Sequence, residues 1–233
     1  MSSLASRMPR RLRFFPPGSL VEVTCRTVQG TLEAARDALA LGAGINLAGG
    51  THHAFPDRGE GFCVFNDVAV AIRVLQREGR IRRAAIVDLD VHQGNGSARI
   101  FMDDPDVFTF SVHGEHNYPF RKEASTIDVG LDDGCDDATY LRALDNHLDD
   151  ALDQALPDLA FYLAGADPFA GDRFGRLRLS MDGLVLRDRK VFEACARRAV
   201  PVVMVLAGGY APDLRDVATI HGNTVRELLT LWS

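Results

Sequence analysis

Ile86-Val-Asp-Leu-Asp-Val-His-Gln-Gly-Asn-Gly96 passes from apolar to ligand-bearing to glycine-rich within one short run. The apolar residues read as a buried strand, and Gly94 and Gly96 as the turn that ends it. Side chains alternate along a strand, so Asp88, Asp90 and His92 are expected on one face. Two carboxylates and an imidazole then gather where a strand runs out into a loop. Such oxygen and nitrogen donors are ordinary zinc ligands, and a catalytic zinc needs three protein ligands and an open position.

Outward from this run, the chain alternates between strand and helix patterns. A helix is expected from Leu20 to Leu41, with Leu32, Ala35, Ala38 and Leu39 on its buried side. Strands are expected at Ile45 to Ala48, Ala84 to Leu89, Val107 to Val112, Leu159 to Ala164 and Val202 to Leu206. Helices are expected from Asp67 to Glu78, with Asn66 and Asp67 as capping residues, and from Asp137 to Ala155, Met181 to Ala199 and Leu214 to Leu229. This alternation predicts an α/β fold: a mostly parallel sheet between two helical layers. One domain is expected over residues 20–233, after an irregular segment over 1–19 that carries Pro9, Pro16, Pro17 and Gly18.

The polar residues that stand out all follow strands. His52 and His53 come after the first, Asp88, Asp90 and His92 end the second, and Ser111 and His113 end the third. Asp167 follows Gly165, and Tyr210 follows Gly208-Gly209. In open α/β sheets the carboxyl edge of the strands is where ligands bind. A single site at that edge is the economical reading.

The net charge of −6 argues against a general nucleic-acid binder. Cys25, Cys63, Cys135 and Cys195 form no CxxC pair, which fits a reducing compartment and a cytoplasmic protein. No apolar run has the length of a membrane span. The basic start, with Arg7, Arg10, Arg11 and Arg13, lacks the hydrophobic stretch of a secretory signal.

Asp90, His92 and Asp167 supply three ligands for an open zinc site, at which a bound water becomes acidic and a carbonyl is polarised. One imidazole of His52-His53 can take a proton from the attacking water, and one can deliver a proton to the leaving group. Asp88 and Asn95 are available to fix their tautomers. Tyr210 can aim a phenol at a developing oxyanion. The set describes metal-assisted amide hydrolysis.

Gly49-Gly-Thr-His-His-Ala54, Gly61-Phe-Cys-Val-Phe-Asn-Asp67, Asp88-Leu-Asp-Val-His-Gln-Gly-Asn-Gly96, Gly165-Ala-Asp167 and Gly208-Gly-Tyr210 resemble the ordered motifs of the zinc-dependent histone deacetylases, within the arginase/deacetylase superfamily. The arrangement is similar to the class IV and bacterial branch. The resemblance implies that Asp90, His92 and Asp167 bind zinc, with iron(II) the alternative metal. It implies an acid/base pair of His52 and His53, with His53 the principal base, Asp88 supporting His52 and Asn95 supporting His53. Tyr210 would polarise the acyl carbonyl. Gly61 and Phe62 would form one wall of an acyl-lysine tunnel, with Tyr118 or Phe120 opposite. A structural potassium ion would lie at Asp88, Asp90, His92, Ser111 and Val112. The implied partners are an acyl-lysine protein or peptide, or a small acylated amine.

Two departures accompany the resemblance. The match begins near Leu20, without the first strands and helices of the family domain, so substrate grip and stability are the properties placed in question. Ala207 stands where many relatives have glycine or serine, a small change. Two other readings compete. A catalytically weak relative acting as a binding module is one. An arginase-like ureohydrolase is the other, and it would need a second metal ligand where Gly94 stands. His113 and His116 read as loop or supporting residues, and His147 and His221 as exposed helix residues. Cys63 reads as a small buried residue.

Overall fold

Residues 17–232 are described by a computed structural model. The N-terminal arginines and most of the expected irregular segment lie outside these residues. Six parallel strands form one sheet in the order β1-β6-β5-β2-β3-β4. They are β1 (Ala43–Asn46), β2 (Ala84–Asp88), β3 (Val107–Gly114), β4 (Ile127–Leu131), β5 (Leu159–Leu163) and β6 (Val202–Val205). The helices are α1 (Pro17–Leu41), α2 (Asp67–Arg77), α3 (Asn95–Phe101), α4 (Asp137–Ala155), α5 (Met181–Arg197) and α6 (Leu214–Trp232).

The central strands are apolar on both faces because helices cover both. Ala85 and Val87 of β2 and Ala160 and Tyr162 of β5 pack among buried residues of α4, α5 and α6. The alternate positions, Ala84 and Ile86 with Leu159, Phe161 and Leu163, pack against α1 and α2. This is the near-continuous hydrophobic strand of a parallel sheet. Each fully buried Ile or Phe contributes about 1.5–3 kcal/mol.

The caps follow the sequence. The Asn66 side chain accepts from Ala69 N, Asp136 from Thr139 N and Ser180 from Gly183 N, which start α2, α4 and α5. Asp67 does not share the capping role expected of it. Its carboxylate accepts from Thr51 N at 2.8 Å, from Gly50 N at 3.1 Å and from the Thr31 hydroxyl at 2.5 Å, so it braces the loop after β1.

Several expectations shift. The first helix begins at Pro17, within the segment expected to be irregular, because proline is compatible with the first helical turn. Strand β1 lies two residues earlier than expected, leaving Leu47 exposed. Helix α3 and strand β4 were not anticipated. Helix α3 spans seven residues and starts inside a glycine-rich run, and β4 is an edge strand containing Gly130.

Candidate active site

The chain runs from β2 to β3 to β4 in one direction across the sheet and from β5 to β6 in the other, so β2 and β5 are neighbours at the point of reversal. A crevice at such a switch point is the expected ligand position. Asp90 follows β2, and Asp167 follows β5.

Strand β2 ends at Asp88, so Asp90 and His92 do not continue a strand face as the alternation predicted. They lie on a bend that hydrogen bonds fold inward. His92 N donates to Asp90 Oδ1 at 2.9 Å, and Val91 N donates to Asp167 Oδ1 at 2.9 Å. His92 Nδ1 comes within 3.0 Å of Asp90 Oδ1 and 3.2 Å of Asp167 Oδ2. One ligand atom from each of Asp90, His92 and Asp167 falls within 4.8 Å of the others.

This donor set fits a divalent cation. Asp167 Oδ2 is buried and, apart from the His92 ring nitrogen 3.2 Å away, has no polar partner, so it is an acceptor that an ion would satisfy. Burial and the neighbouring Asp90 charge push the Asp167 pKa up to about 6. Burial opposes charge on His92, but Asp167 and Asp90 outweigh it and lift its pKa to about 10. Two buried carboxylates thus draw positive charge between them. Gly208 completes the floor. Its N–H donates to Asp90 Oδ2 at 2.8 Å, and a Cβ there would lie 2.2 Å from Asp167 Oδ2. Its neighbour Ala207 sits at φ 58°, where any L-residue, alanine or serine alike, costs about 1–2 kcal/mol relative to glycine.

His52 and His53 are both buried, with ring centroids 4.1 Å apart. His52 Nδ1 lies 2.7 Å from Asp88 Oδ2, and His53 Nδ1 lies 2.7 Å from Asn95 Oδ1. The environments push the two rings apart. Burial disfavours the His52 cation, but Asp88 and Asp90 raise its pKa to about 9. Burial and the His52 charge hold the His53 pKa well below its ordinary value. Charge is thus favoured on His52 and disfavoured on His53. Helix α3 abuts this loop at Gly96, where a Cβ would lie 2.4 Å from Ala54 O.

Arg187 and Asp188 were missed by sequence reasoning. Both are buried, Arg187 completely. Arg187 Nη1 donates to Gly165 O at 2.7 Å and to Leu89 O at 3.2 Å, the backbone just before Asp167 and Asp90. Its Nη2 lies 2.7 Å from Asp188 Oδ1, and that carboxylate also accepts from the hydroxyls of Tyr162 and Thr224. The sequence shows only an adjacent Arg-Asp pair within a predicted helix, which does not tell burial from exposure.

The ligands and histidines open into a cavity of about 590 Å³. The Tyr118 ring lies 5.1 Å from that of His53 and 6.5 Å from that of His92. Of the two expected opposing residues, Tyr118 is the inner one. Phe120 is 85% exposed, 6.4 Å from Tyr118 at the rim. Phe62, at φ 68°, holds a strained left-handed conformation that presents its ring at the mouth, 6.4 Å from Tyr210. Phe174, also missed, packs 5.0 Å from Tyr210, whose N–H donates to Asp172 Oδ2 at 2.6 Å. Burial and the charges of Asp90 and Asp167 raise the Tyr210 pKa well above the ordinary phenol value, keeping the hydroxyl a donor.

The remaining residues divide. Ser111 stands in register with Asp88, and Val112 is buried beside it. The Ser111 hydroxyl lies 2.9 Å from His113 Nδ1, on β3 rather than in a loop. His116 is exposed at the mouth. His147 and His221 were expected on exposed helix faces, but both are half-buried. His147 Nδ1 pairs with Ala143 O, and burial together with the Arg187 charge pushes the His221 pKa down to about 4. Cys63 is buried, which pushes its thiol up to about 12.

Residues 10–228 match the family model described as "Histone deacetylase domain". The chain belongs to the histone deacetylase family. An uncharacterized protein of Picosynechococcus sp. is 47% identical over 219 residues, covering 94% of this chain and 73% of that protein. Histone deacetylase 2 of Arabidopsis thaliana is 40% identical over 206 residues, 87% of this chain and 52% of that protein. Among solved structures, an acetylpolyamine aminohydrolase from Burkholderia pseudomallei superposes with a TM-score of 0.72 at 25% identity, covering 88% of this chain and 61% of that one. The deacetylase-family chain thus spans about half the length of the Arabidopsis relative and about three fifths of that solved structure. Among the described residues, no helix is long and apolar enough to cross a membrane.

Proposed function

We propose that the chain hydrolyses the amide of an acylated amine, either acyl-lysine in a protein or peptide or a small acylated amine. The observation that carries this reading is the convergence of three metal-type ligands with an Asp88-paired and an Asn95-paired histidine at the floor of one aromatic-walled cavity. Asp90, His92 and Asp167 would hold zinc, with iron(II) the alternative for one histidine and two carboxylates. A metal bound there supplies Lewis-acid polarisation of the acyl oxygen and acidifies a water.

The chain's own groups divide the proton work. His53, neutral, accepts the proton of the attacking water. His52, held as the cation by Asp88, offers the proton that the departing amine requires. Tyr210 donates its hydroxyl to the acyl oxygen as negative charge develops there, a role for which its raised pKa suits it. Phe62 and Tyr118 line the path of the acyl-bearing side chain. A monovalent cation such as potassium at Asp88, Asp90, His92, Ser111 and Val112 is part of the same proposal, supported by the β2–β3 register that sets Asp88 beside Ser111.

The test is turnover of a fluorogenic acyl-lysine series, acetyl to long fatty acyl, and of an acetylated polyamine, with added zinc. Wild type is compared with His53→Ala and Asp167→Ala. Turnover lost by at least about a thousandfold in both variants, with zinc lost only in Asp167→Ala, is the expected result, on the scale of several kcal/mol of transition-state stabilisation. A folded, zinc-loaded wild type that turns over none of these substrates overturns the proposal.

A further inference from the structure

We infer that Glu60 is a positioning residue: it fixes the amide of Asn95, through that amide sets which nitrogen of His53 carries the proton, and ties the Tyr118 wall to the same carboxylate oxygen. The inference rests on the proposed reading of His53 as the base.

Asn95 lies between two partners. One end of its amide is 2.7 Å from His53 Nδ1, and the other is 2.9 Å from Glu60 Oε1. The shape of an amide does not tell oxygen from nitrogen, but its partners do. A carboxylate oxygen only accepts, so the amide end facing Glu60 is the NH₂ group. The carbonyl end therefore faces His53, and since it too only accepts, His53 Nδ1 must donate. In the neutral ring this leaves the lone pair on Nε2. With no acceptor at position 60, the amide is free to turn over and present its NH₂ to Nδ1, which would move the ring proton to Nε2 and remove the base.

Glu60 is placed for this by the local fold. Its N–H donates to Cys63 O at 3.0 Å, and Cys63 N–H donates to Glu60 O at 2.7 Å, closing a two-residue turn over Gly61 and Phe62. Both central residues have positive φ, 54° and 68°, as a tight hairpin turn demands. That turn packs on the base: a Cβ at Gly61 would lie 2.4 Å from His53 Cδ2. The Glu60 oxygens are divided between two tasks. Oε2 faces outward and accepts from Arg58 Nε at 3.1 Å, while Oε1 accepts from both Asn95 and the Tyr118 hydroxyl, the latter at 2.8 Å. The wall residue Phe62, the opposite wall Tyr118 and the amide behind the base thus share one anchor. Its chemistry is that of a carboxylate standing behind a His–Asn pair.

The experiment uses the zinc-loaded full chain with isotopically labelled histidine, comparing wild type, Glu60→Met and Glu60→Gln by the NMR shifts of the His53 ring nitrogens. Wild type is expected to carry the proton on Nδ1. Glu60→Met keeps the side chain's length but has no acceptor oxygen, so the proton should redistribute towards Nε2, with kcat lower by about 10- to 100-fold in a protein that remains folded and zinc-loaded. Glu60→Gln retains an acceptor oxygen and should restore the wild-type ring shifts and most of the turnover. Glu60→Ala takes the place of the methionine variant if that one does not fold. Wild-type ring shifts in the variant lacking an acceptor overturn the inference, whatever its turnover. A wild type that deacylates nothing defeats the proposed function instead, and the ring shifts still decide the role of Glu60.

Discussion

The floor and the mouth of the cavity are built on opposite principles. At the floor, Asp88, Asp90, Asp167, His52, His53 and Arg187 are all buried, and nearly every polar atom is committed to a backbone group or a charged partner. At the mouth, Phe62 and Phe174 are more than half exposed and Phe120 is almost fully so. Buried polar networks in a low dielectric are rigid and costly to disturb. Exposed rings on loops are cheap to exchange. Under the proposed function, the floor would fix the reaction and the mouth would choose what enters.

The largest break in this contrast should come from the brace under the floor. Arg187→Met removes the cation opposite Asp188 and leaves a buried carboxylate facing only two hydroxyls. Loss of one member of a buried pair costs about 3–5 kcal/mol. Urea denaturation should show that loss, with zinc bound more weakly because the Leu89 and Gly165 carbonyls are released. A change below about 1 kcal/mol would mean that the floor does not depend on its brace.

The next effect is chemical rather than structural. Tyr210→Phe deletes one hydroxyl at the junction of floor and mouth and leaves the ring against Phe174. Removing one oxyanion donor lowers kcat by about 10²–10³-fold. Zinc content and stability should stay at wild-type levels. An equal rise in KM with kcat intact would instead make Tyr210 part of the mouth.

How legible each region was follows from the same contrast. The clustering of Asp90, His92, Asp167, His52 and His53 was legible because each sits just past an apolar run, and the strand pattern placed all of those runs at one sheet edge. Asp90 and His92 were misplaced in detail, since the strand stops at Asp88 and a bend rather than a pleat brings them together. Arg187 and Asp188 were invisible for another reason. A buried ion pair on a helix has the same spelling as an exposed one, and only the packing of α5 under β2 and β5 tells them apart. Glu60 gave no signal because its partners, Asn95 and Tyr118, are 35 and 58 residues away. Phe174 lies in a loop with no periodicity to place it.

His221 lets the floor be probed by pH without touching a ligand. Its pKa is about 4 in the fold and about 6.5 in an unfolded chain. Above pH 6.5 both states hold it neutral. As pH falls from 6.5 to 4 the unfolded chain takes up the proton first, so the native state loses stability across that window and no further below it. The loss attributable to this one group is on the order of 3 kcal/mol. Denaturation of His221→Leu at pH 7 and pH 5 should show a shallower acid slope than wild type. Equal slopes would mean that His221 is solvated and the packing over Arg187 is looser than the structure shows.

The smallest effect is expected at the mouth. Phe174 is 51% exposed, so truncation to alanine removes little buried surface from the free protein and should change stability by less than about 0.5 kcal/mol. The lost contact matters only when something lies against the ring. KM for acyl-lysine peptides should rise several-fold, while kcat on a minimal acylated amine, too short to reach the rim, stays unchanged. If instead kcat falls on the minimal substrate, the Phe174 ring is positioning Tyr210 across their 5.0 Å contact. The boundary between fixed floor and adaptable mouth would then lie farther out than exposure alone suggests.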